Sequence, residues 1–382
     1  MKTQSKFAKL AILVFTGSLL LSVSTFAKAE SDAAAAIYAS AANVPTNIPG
    51  IHTYAEPPKD FDPVAATDEE LATYGFPTRP DKQANPDHYA LWERAMRAAR
   101  IRWNGELKSL PGGGQGMHRP GRSPLPDAVH SNTGPVQGQT LNASGVMLTN
   151  KQKSWGKGSF NDIYTEISVP TAQLAFDSGC TDSDTLQLSS AGIDGYLTTS
   201  VSPDNAYAAG LQGGVLEDVN CYGQAVYYAY TGWGLYNTEF TLNPGDVFYT
   251  EVKAYGPSTN AYVFVEDTTN WNYSAYSIPT PGIVGDTAEW TVNRWCCDGS
   301  VDGTWPLANT IHIFFDYGAA ENGNGAIFYP GSQASSTLIM TMMDDGGDQE
   351  IETVEQGSGG YEGEHALFFS TIGCAYAGGC TL

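Results

Sequence analysis

VFYTEVKAYGPSTNAYVFVED, residues 247–267, decides the fold class. Two runs rich in Val, Tyr, Phe and Thr flank a short stretch containing Gly256, Pro257 and Asn260. Runs of that length and composition, bounded by turn residues, read as strands. The same texture extends outward on both sides from about residue 145. DIYTEISVP, AVYYAYTGW, AEWTVN, TIHIFFDYG, STLIMTMM and HALFFSTIG alternate with segments rich in Gly, Asn, Asp and Pro. No helical crossover separates these runs, which argues against a parallel βαβ architecture. The spacing suggests an antiparallel sandwich or barrel, with no fixed-period repeat.

The chain before this region is of another kind. Lys2, Lys6 and Lys9 precede the apolar run LAILVFTGSLLLSVSTF, and Ala27-Lys28-Ala29 follows it. A basic start, an apolar run and an A-x-A site form a signal peptide, assigned to residues 1–29. No other stretch approaches the ~20 apolar residues of a membrane span. A secreted protein, free of the membrane after processing, is therefore expected. Residues 30–145 read as a pro-region. In it, Asn85 can cap a helix and Pro86 suits its first turn. Trp92, Met96, Ala99 and Trp103 fall on one stripe, so a helix is expected near 86–103. Arg94, Arg97, Arg100 and Arg102 make it basic. Residues 111–126 read as a Gly/Pro linker, and residues 146–382 as an acidic β-domain.

Charge divides the 382-residue chain, whose net charge is −22. Residues 1–157 hold 17 Lys/Arg and 13 Asp/Glu, whereas residues 158–382 hold 2 and 28. Such a surface argues against nucleic acid, which is bound largely through Lys and Arg on phosphates. Carboxylates crowded on one domain repel one another at neutral pH and less so in acid, so a working range in acid is expected. A basic helix joined to an acidic domain further suggests a pro-region that masks and inhibits its own enzyme, with acid weakening the attraction. The six cysteines (180, 221, 296, 297, 374 and 380) all lie in the acidic part. Export permits disulfides, but spacing does not choose among the pairings. No CxxC or HxxxH pattern suggests zinc.

Familiar nucleophile systems are missing. There is no GxSxG and no DTG pair, and His312 alternates within a strand-like run. DDGGD at 344–348 reads as an acidic turn, because it lacks the EF-hand pattern. Carboxylates and amides remain. In AEWTVN, alternation puts Ala288, Trp290 and Val292 on one face and Glu289, Thr291 and Asn293 on the other. A polar face of this kind suits a sheet lining a wet cleft. Gln212 lies in AAGLQGGVLED, where Gly210, Gly213 and Gly214 would let another backbone approach closely.

Six segments in order resemble the glutamic peptidases, the eqolisin family. They are SWGKGSFNDIYTEISVPTA (154–172), AGIDG (191–195), GLQGG (210–214), NPGDVFYTEV (243–252), DTAEWTVNRW (286–295) and FFDYG (314–318). The resemblance implies an all-β fold: a sandwich of two curved antiparallel sheets, of concanavalin-A-like or jelly-roll type. It implies Gln212 and Glu289 as the catalytic pair, and matches Trp155 and Asp194 to residues near the substrate. Asp194 can equally hold its turn, and Trp155 can equally be a packing aromatic. The implied activity is a secreted acid endopeptidase with no metal or cofactor, acting on polypeptides; a monomer is expected. Ser190, Ala229 and Asn293 depart from the family pattern, where Trp, Trp and Glu are usual. The rival reading is a carbohydrate-active or lectin-like sandwich. A glycosidase, however, needs two carboxylates at a defined separation.

Overall fold

The computed structural model describes residues 37–38, 40–109, 136–140, 143–150, 152, 154–173, 185–194, 210–220, 222–233, 235–294, 309–310, 313–330, 337–343, 350–356 and 367–371. The signal peptide, the 111–126 linker, all six cysteines, His312 and the DDGGD turn lie outside these residues.

Two antiparallel sheets pack face to face. The front sheet runs Thr337–Met343, Ala143–Thr149, Thr287–Arg294, Thr185–Ile193, Leu211–Val219, Ala225–Trp233 and Leu235–Leu242. The rear sheet runs Leu367–Thr371, Ile313–Asn322, Phe160–Ser168, Val247–Lys253, Ala261–Asp267 and Asn272–Ile278. Glu350–Gln356 pairs with both Thr337–Met343 and Leu367–Thr371, and so joins the sheets along one edge. Residues 247–267 are thus two neighbouring rear strands with their connecting turn. The front sheet also begins earlier than residue 146. Ala143–Thr149 spans that boundary, and Val136–Thr140 adds a parallel edge strand.

Strand alternation builds the core between the sheets. Leu211, Val215, Ala191, Ile193, Ala288, Trp290 and Val292 turn inward from the front sheet. Ile163, Ile167, Phe248, Val252, Val263 and Val265 meet them from the rear. The opposite face of the Thr287–Arg294 strand carries Glu289, Thr291 and Asn293, as the alternation requires. That face is not wet, contrary to expectation: all three residues are fully buried. Chain encloses it, and periodicity in one strand cannot reveal what packs on that strand from elsewhere.

A second core lies on the outer face of the rear sheet, where the N-terminal segment packs. Tyr164, Tyr249, Tyr262, Phe264 and Tyr273 face Tyr54, Leu71, Phe76, Leu91, Trp92 and Met96. Burying a large apolar side chain contributes about 1.5–3 kcal/mol, so this contact far outweighs exposed ion pairs at ~0–1 kcal/mol each. Helix α1 (Asp68–Tyr74) has a capping box between Thr67 and Glu70, and ends on Gly75 in the left-handed region at φ 72°. Helix α1 carries no long apolar stripe, and its sequence signals are the local T-x-x-E of Thr67 and Glu70 and the stop glycine.

Helix α2 (Pro86–Ala98) starts as expected, with the Asn85 side chain accepting from His88 N. It ends earlier than expected. Ala99 is extended, and Ile101–Arg102 forms a short parallel strand beside Asn272–Ile278. The carbonyls of Trp271 and Tyr273 take hydrogen bonds from Ile101 N (2.8 Å) and Trp103 N (2.9 Å). An open sheet edge therefore outcompetes another helical turn. Trp92, Met96 and Ala99 are buried as the stripe predicts, while Trp103 instead packs at the rim of the inter-sheet core.

Candidate active site

Three adjacent front strands bring the key residues into one row. Gly192 lies directly opposite Gln212 on one side and directly opposite Glu289 on the other. Directly opposed residues share a face, so Gln212 and Glu289 sit on the same face with Gly192 between them. Two strand spacings of about 4.8 Å put their Cα atoms about 10 Å apart. Their side chains flank the gap above Gly192 on that face.

Gly192 is the floor of this gap. A Cβ there would lie 2.5 Å from Gln212 Cγ and 2.8 Å from Leu211 O, so the Gln212 side chain leans across the glycine. One row along, Ser190 faces Gly214 and Thr291. A Cβ on Gly214 would lie 2.2 Å from Ser189 O. The close backbone approach expected around Gln212 is therefore real, and the neighbouring strand is what approaches.

Gln212 and Glu289 both have 0% exposure. The Oε1 atom of Gln212 accepts from Ser190 Oγ at 3.3 Å and from the Tyr230 hydroxyl at 3.4 Å. Its Nε2 has no partner among the described residues. An unsatisfied buried donor costs about 1–3 kcal/mol, and is worth keeping where a reaction needs a donor. Asn293 Nδ2 donates to Thr291 Oγ1 at 2.9 Å on the same face as Glu289. Ala229, another departure from the family pattern, is buried in the inter-sheet core.

Asp194 ends the Gly192 strand with φ 63°. Its carboxylate accepts from the backbone N–H of Val284, of Gly285 (2.9 Å) and of Asp286 (2.7 Å). Burial raises its pKa, with those three N–H groups working the other way. The carboxylate thus ties the end of one strand to the loop that launches the Glu289 strand. Trp155 lies in the turn before Phe160–Ser168, half-buried at the rim of the inter-sheet core. Its Nε1 would be 3.1 Å from a Cβ on Gly256, so the indole lies against that glycine. The structure therefore brings Gln212 and Glu289 together, and gives Asp194 and Trp155 described contacts with loops. Among the described residues, no group of three or more His, Cys, Asp or Glu is disposed to hold a metal ion.

Sequence reasoning missed the floor glycine and the two hydroxyls on Gln212. The signal was present, since Ser190, Gly192 and Asp194 alternate onto one face. Only the register shows which residues they meet.

The sequence model of the Peptidase A4 family matches residues 141–358. The chain belongs to that family. This glutamic-type peptidase is a hydrolase of peptide bonds, and the matched span holds every residue of the row. Two crystal structures of scytalido-glutamic peptidase are similar to it, one with a peptide-based transition state analog and one with a transition state analog inhibitor. Each is 17% identical over 61% of the peptidase and 98% of the solved chain, with TM-scores of 0.44 and 0.43. Tailspike protein 2 from Escherichia coli O157:H7 bacteriophage CAB120 is 10% identical over 44% of the peptidase and 21% of its own chain, with a TM-score of 0.22. No match was found among curated proteins.

Proposed function

We propose that the protein is a secreted acid endopeptidase that cuts polypeptides with Glu289 and Gln212. The observation that carries this reading is the shared pairing of both residues with Gly192. Glu289, as carboxylate, takes a proton from a water held in the gap, and the water oxygen attacks the scissile carbonyl carbon. Gln212 Nε2 donates to the oxygen as it becomes an oxyanion, an interaction worth about 3–4 kcal/mol. Glu289 then returns the proton to the leaving nitrogen as the C–N bond breaks. The products are a carboxylic acid and an amine, and one side chain has served as base and then acid. Trp155 and Asp194 remain proposed substrate-side residues, Asp194 acting through the loop it holds. The residue facing Glu289 across Gly192 is an amide, so this pair does not supply the two carboxylates of a glycosidase.

The strand pairings at the edges of the front sheet, rather than any cover over the pair, support a precursor role for the N-terminal segment. A substrate cannot reach two side chains with no exposed surface, so chain must move or be cut before activity appears. Lys108–Ser109 pairs with Leu235–Leu242 at one edge of the front sheet, whereas Val136–Thr140 lies beyond the other edge. In the uncut chain the catalytic sheet is thus tethered at both edges. Purified precursor should cleave itself between residues 109 and 136 when incubated in acid, and then digest casein but not β-glucan. N-terminal sequencing and peptide mapping read both events. Digestion of glucan, or of neither substrate at any pH from 2 to 8, would overturn the proposal.

The basic helix does meet acidic groups, though on the rear sheet. Arg94 makes a two-pronged pair with Glu166 (3.0 and 2.6 Å). Buried His88 stacks on Tyr164 and lies 3.8 Å from Glu251 and 3.6 Å from Glu321. Lys253 bonds Glu251 at 2.7 Å and Asp162 at 3.1 Å. Burial alone would lower the His88 pKa, but Glu251 and Glu321 outweigh it and raise it to about 9. Burial pushes Asp162 up to about 7. Burial also pushes Glu251 upward, yet Lys253 and His88 hold it down at about 2.

The signs follow from linkage. The raised His88 stabilises fully below its unfolded value near 6.5, and this is lost as pH rises through 9. The raised Asp162 stabilises below its unfolded value near 4, and this is lost as pH rises through 7. The depressed Glu251 stabilises above its unfolded value near 4.5, and this is lost as pH falls toward 2. The docked segment should therefore be held best at about pH 4–6. By these signs mild acid leaves the attraction in place, and strong acid or alkali weakens it. The urea midpoint of the Glu289→Gln precursor should peak in that window and fall at pH 2.5 and 9.5. A midpoint that rises steadily toward pH 9.5 would contradict the assignment.

A further inference from the structure

We infer that residues 38–109 are not shed when the chain is cut, but stay on the rear sheet as a second, noncovalent subunit of the mature protein. The segment lies outside the residues matched by the family model, 141–358, so the family assignment says nothing of it. The inference stands apart from the peptidase chemistry, because it concerns what holds the segment in place.

The outer face of the rear sheet is built to be covered. An antiparallel sheet with one face in water keeps that face polar. Here alternation points Tyr249, Tyr262, Phe264 and Tyr273 outward, and all four are fully buried. The N-terminal segment supplies the cover. The Phe76 ring lies 5.0 Å from that of Tyr273 and 6.3 Å from that of Phe264. Tyr38 and Tyr54 meet Tyr262 at 5.1 and 6.0 Å, and His88 stacks on Tyr164. Shedding the segment would bare these aromatics together. Soluble proteins rarely expose a contiguous apolar patch larger than a few hundred Å². Shedding would also take His88 from Glu251 and Glu321, and Asn85 Nδ2 from Glu321 Oε1 (3.0 Å).

Backbone pairing adds to this hold. Tyr276 and Ser277, on the edge strand of the rear sheet, pair with Thr53 and His52, and the same strand takes Ile101–Arg102 in parallel. The segment thus completes an edge whose N–H and C=O groups would otherwise be open. It is also closed on itself. Asn47 Nδ2 donates to Leu107 O at 2.8 Å, and Leu107 N donates back to Asn47 Oδ1 at 3.0 Å. Hydrolysis of one peptide bond between residues 109 and 136 consumes a water and leaves a new carboxylate and a new amino group. It removes the tether and none of these contacts. The described contacts of the segment fall on the rear sheet and on the edge shared with Leu235–Leu242, whereas Gln212 and Glu289 project from the other face of the front sheet. Staying bound therefore does not lay the segment across the row.

The test uses the full-length precursor, folded and then nicked by an unrelated protease between residues 109 and 136. At about 1 μM, about pH 5 and ~1 M NaCl, both fragments should leave a gel-filtration column as one particle, because salt screens exposed charges and spares apolar contacts. Phe76→Ala should raise the dissociation constant of the nicked pair by about 10²-fold or more, as for a buried aromatic truncated in a core. Arg97→Ala, exposed beside Glu93 on α2, should change it by less than about threefold. Elution of the N-terminal fragment apart from the rest, or equal effects of the two variants, would overturn the inference. So would peptidase activity confined to fractions that have lost the N-terminal fragment. Association is read without activity, so an inert particle holding both fragments would bear out this inference and count against the proposed function alone.

Discussion

Glu289→Gln should all but abolish peptide cleavage, lowering kcat by about 10³–10⁴-fold, the upper part of the range for general acid–base work. The change keeps the size and planarity of the side chain and removes its ability to take a proton. Glu289 is fully buried, with its neighbours Trp290 and Ala288 packed into the inter-sheet core. An amide is cheaper to bury than a carboxylate, so the fold should survive and the urea midpoint should not drop. Two readouts apply. The variant precursor should stay uncut in acid. After trimming by an unrelated protease between residues 109 and 136, it should remain nearly inert toward a fluorogenic peptide. Activity above a tenth of the native enzyme, in a sample free of native enzyme, would remove Glu289 from the mechanism.

Gln212→Ala should lower kcat by about 10²–10³-fold with a much smaller change in KM. The donor matters most when charge has built up on the carbonyl oxygen, so its loss falls on the transition state rather than on substrate binding. Truncation also removes the acceptor shared by Ser190 and Tyr230 and opens space above Gly192. A moderate loss of stability, about 1–3 kcal/mol, should accompany it. Steady-state kinetics on the processed variant separate the two effects. A raised KM at native kcat would make Gln212 a binding residue and end its role as oxyanion donor.

These expectations depend on features that were unequally visible in the linear chain. Alternation in TAEWTVN put Glu289 on the polar face and Trp290 on the apolar face, and the structure keeps that division. The glycines around Gln212 announced a close approach, and Ser189 is the residue that approaches. The start of α2 was legible because Asn85 and Pro86 act within one turn. Its end was not, because the competing carbonyls of Trp271 and Tyr273 lie about 170 residues away in the chain. The capping box of α1 was local too, but it sat in a stretch read only for periodicity.

The candidate site shows the same split. Residue types at 212 and 289, and the order of the motifs around them, are properties of the chain itself. That both pair with Gly192 is a property of register. So is the meeting of Ser190, Tyr230 and Gln212. The rear-face cluster is a third case: His88, Glu251, Lys253 and Asp162 are scattered in sequence, and each would be ordinary if exposed. Burial and proximity move their proton affinities apart.

The sequence by itself determined the strand-forming runs, their inward and outward faces, the charge division and the residue types at 212 and 289. Each follows from the local backbone and from residue type, which need no distant partner. Tertiary structure alone decided the row Gln212–Gly192–Glu289, the burial of that row and the docking of the N-terminal segment on the rear sheet. Those depend on which strands lie side by side and on what covers them. Long-range packing sets both, because apolar faces from distant parts of the chain must be buried together.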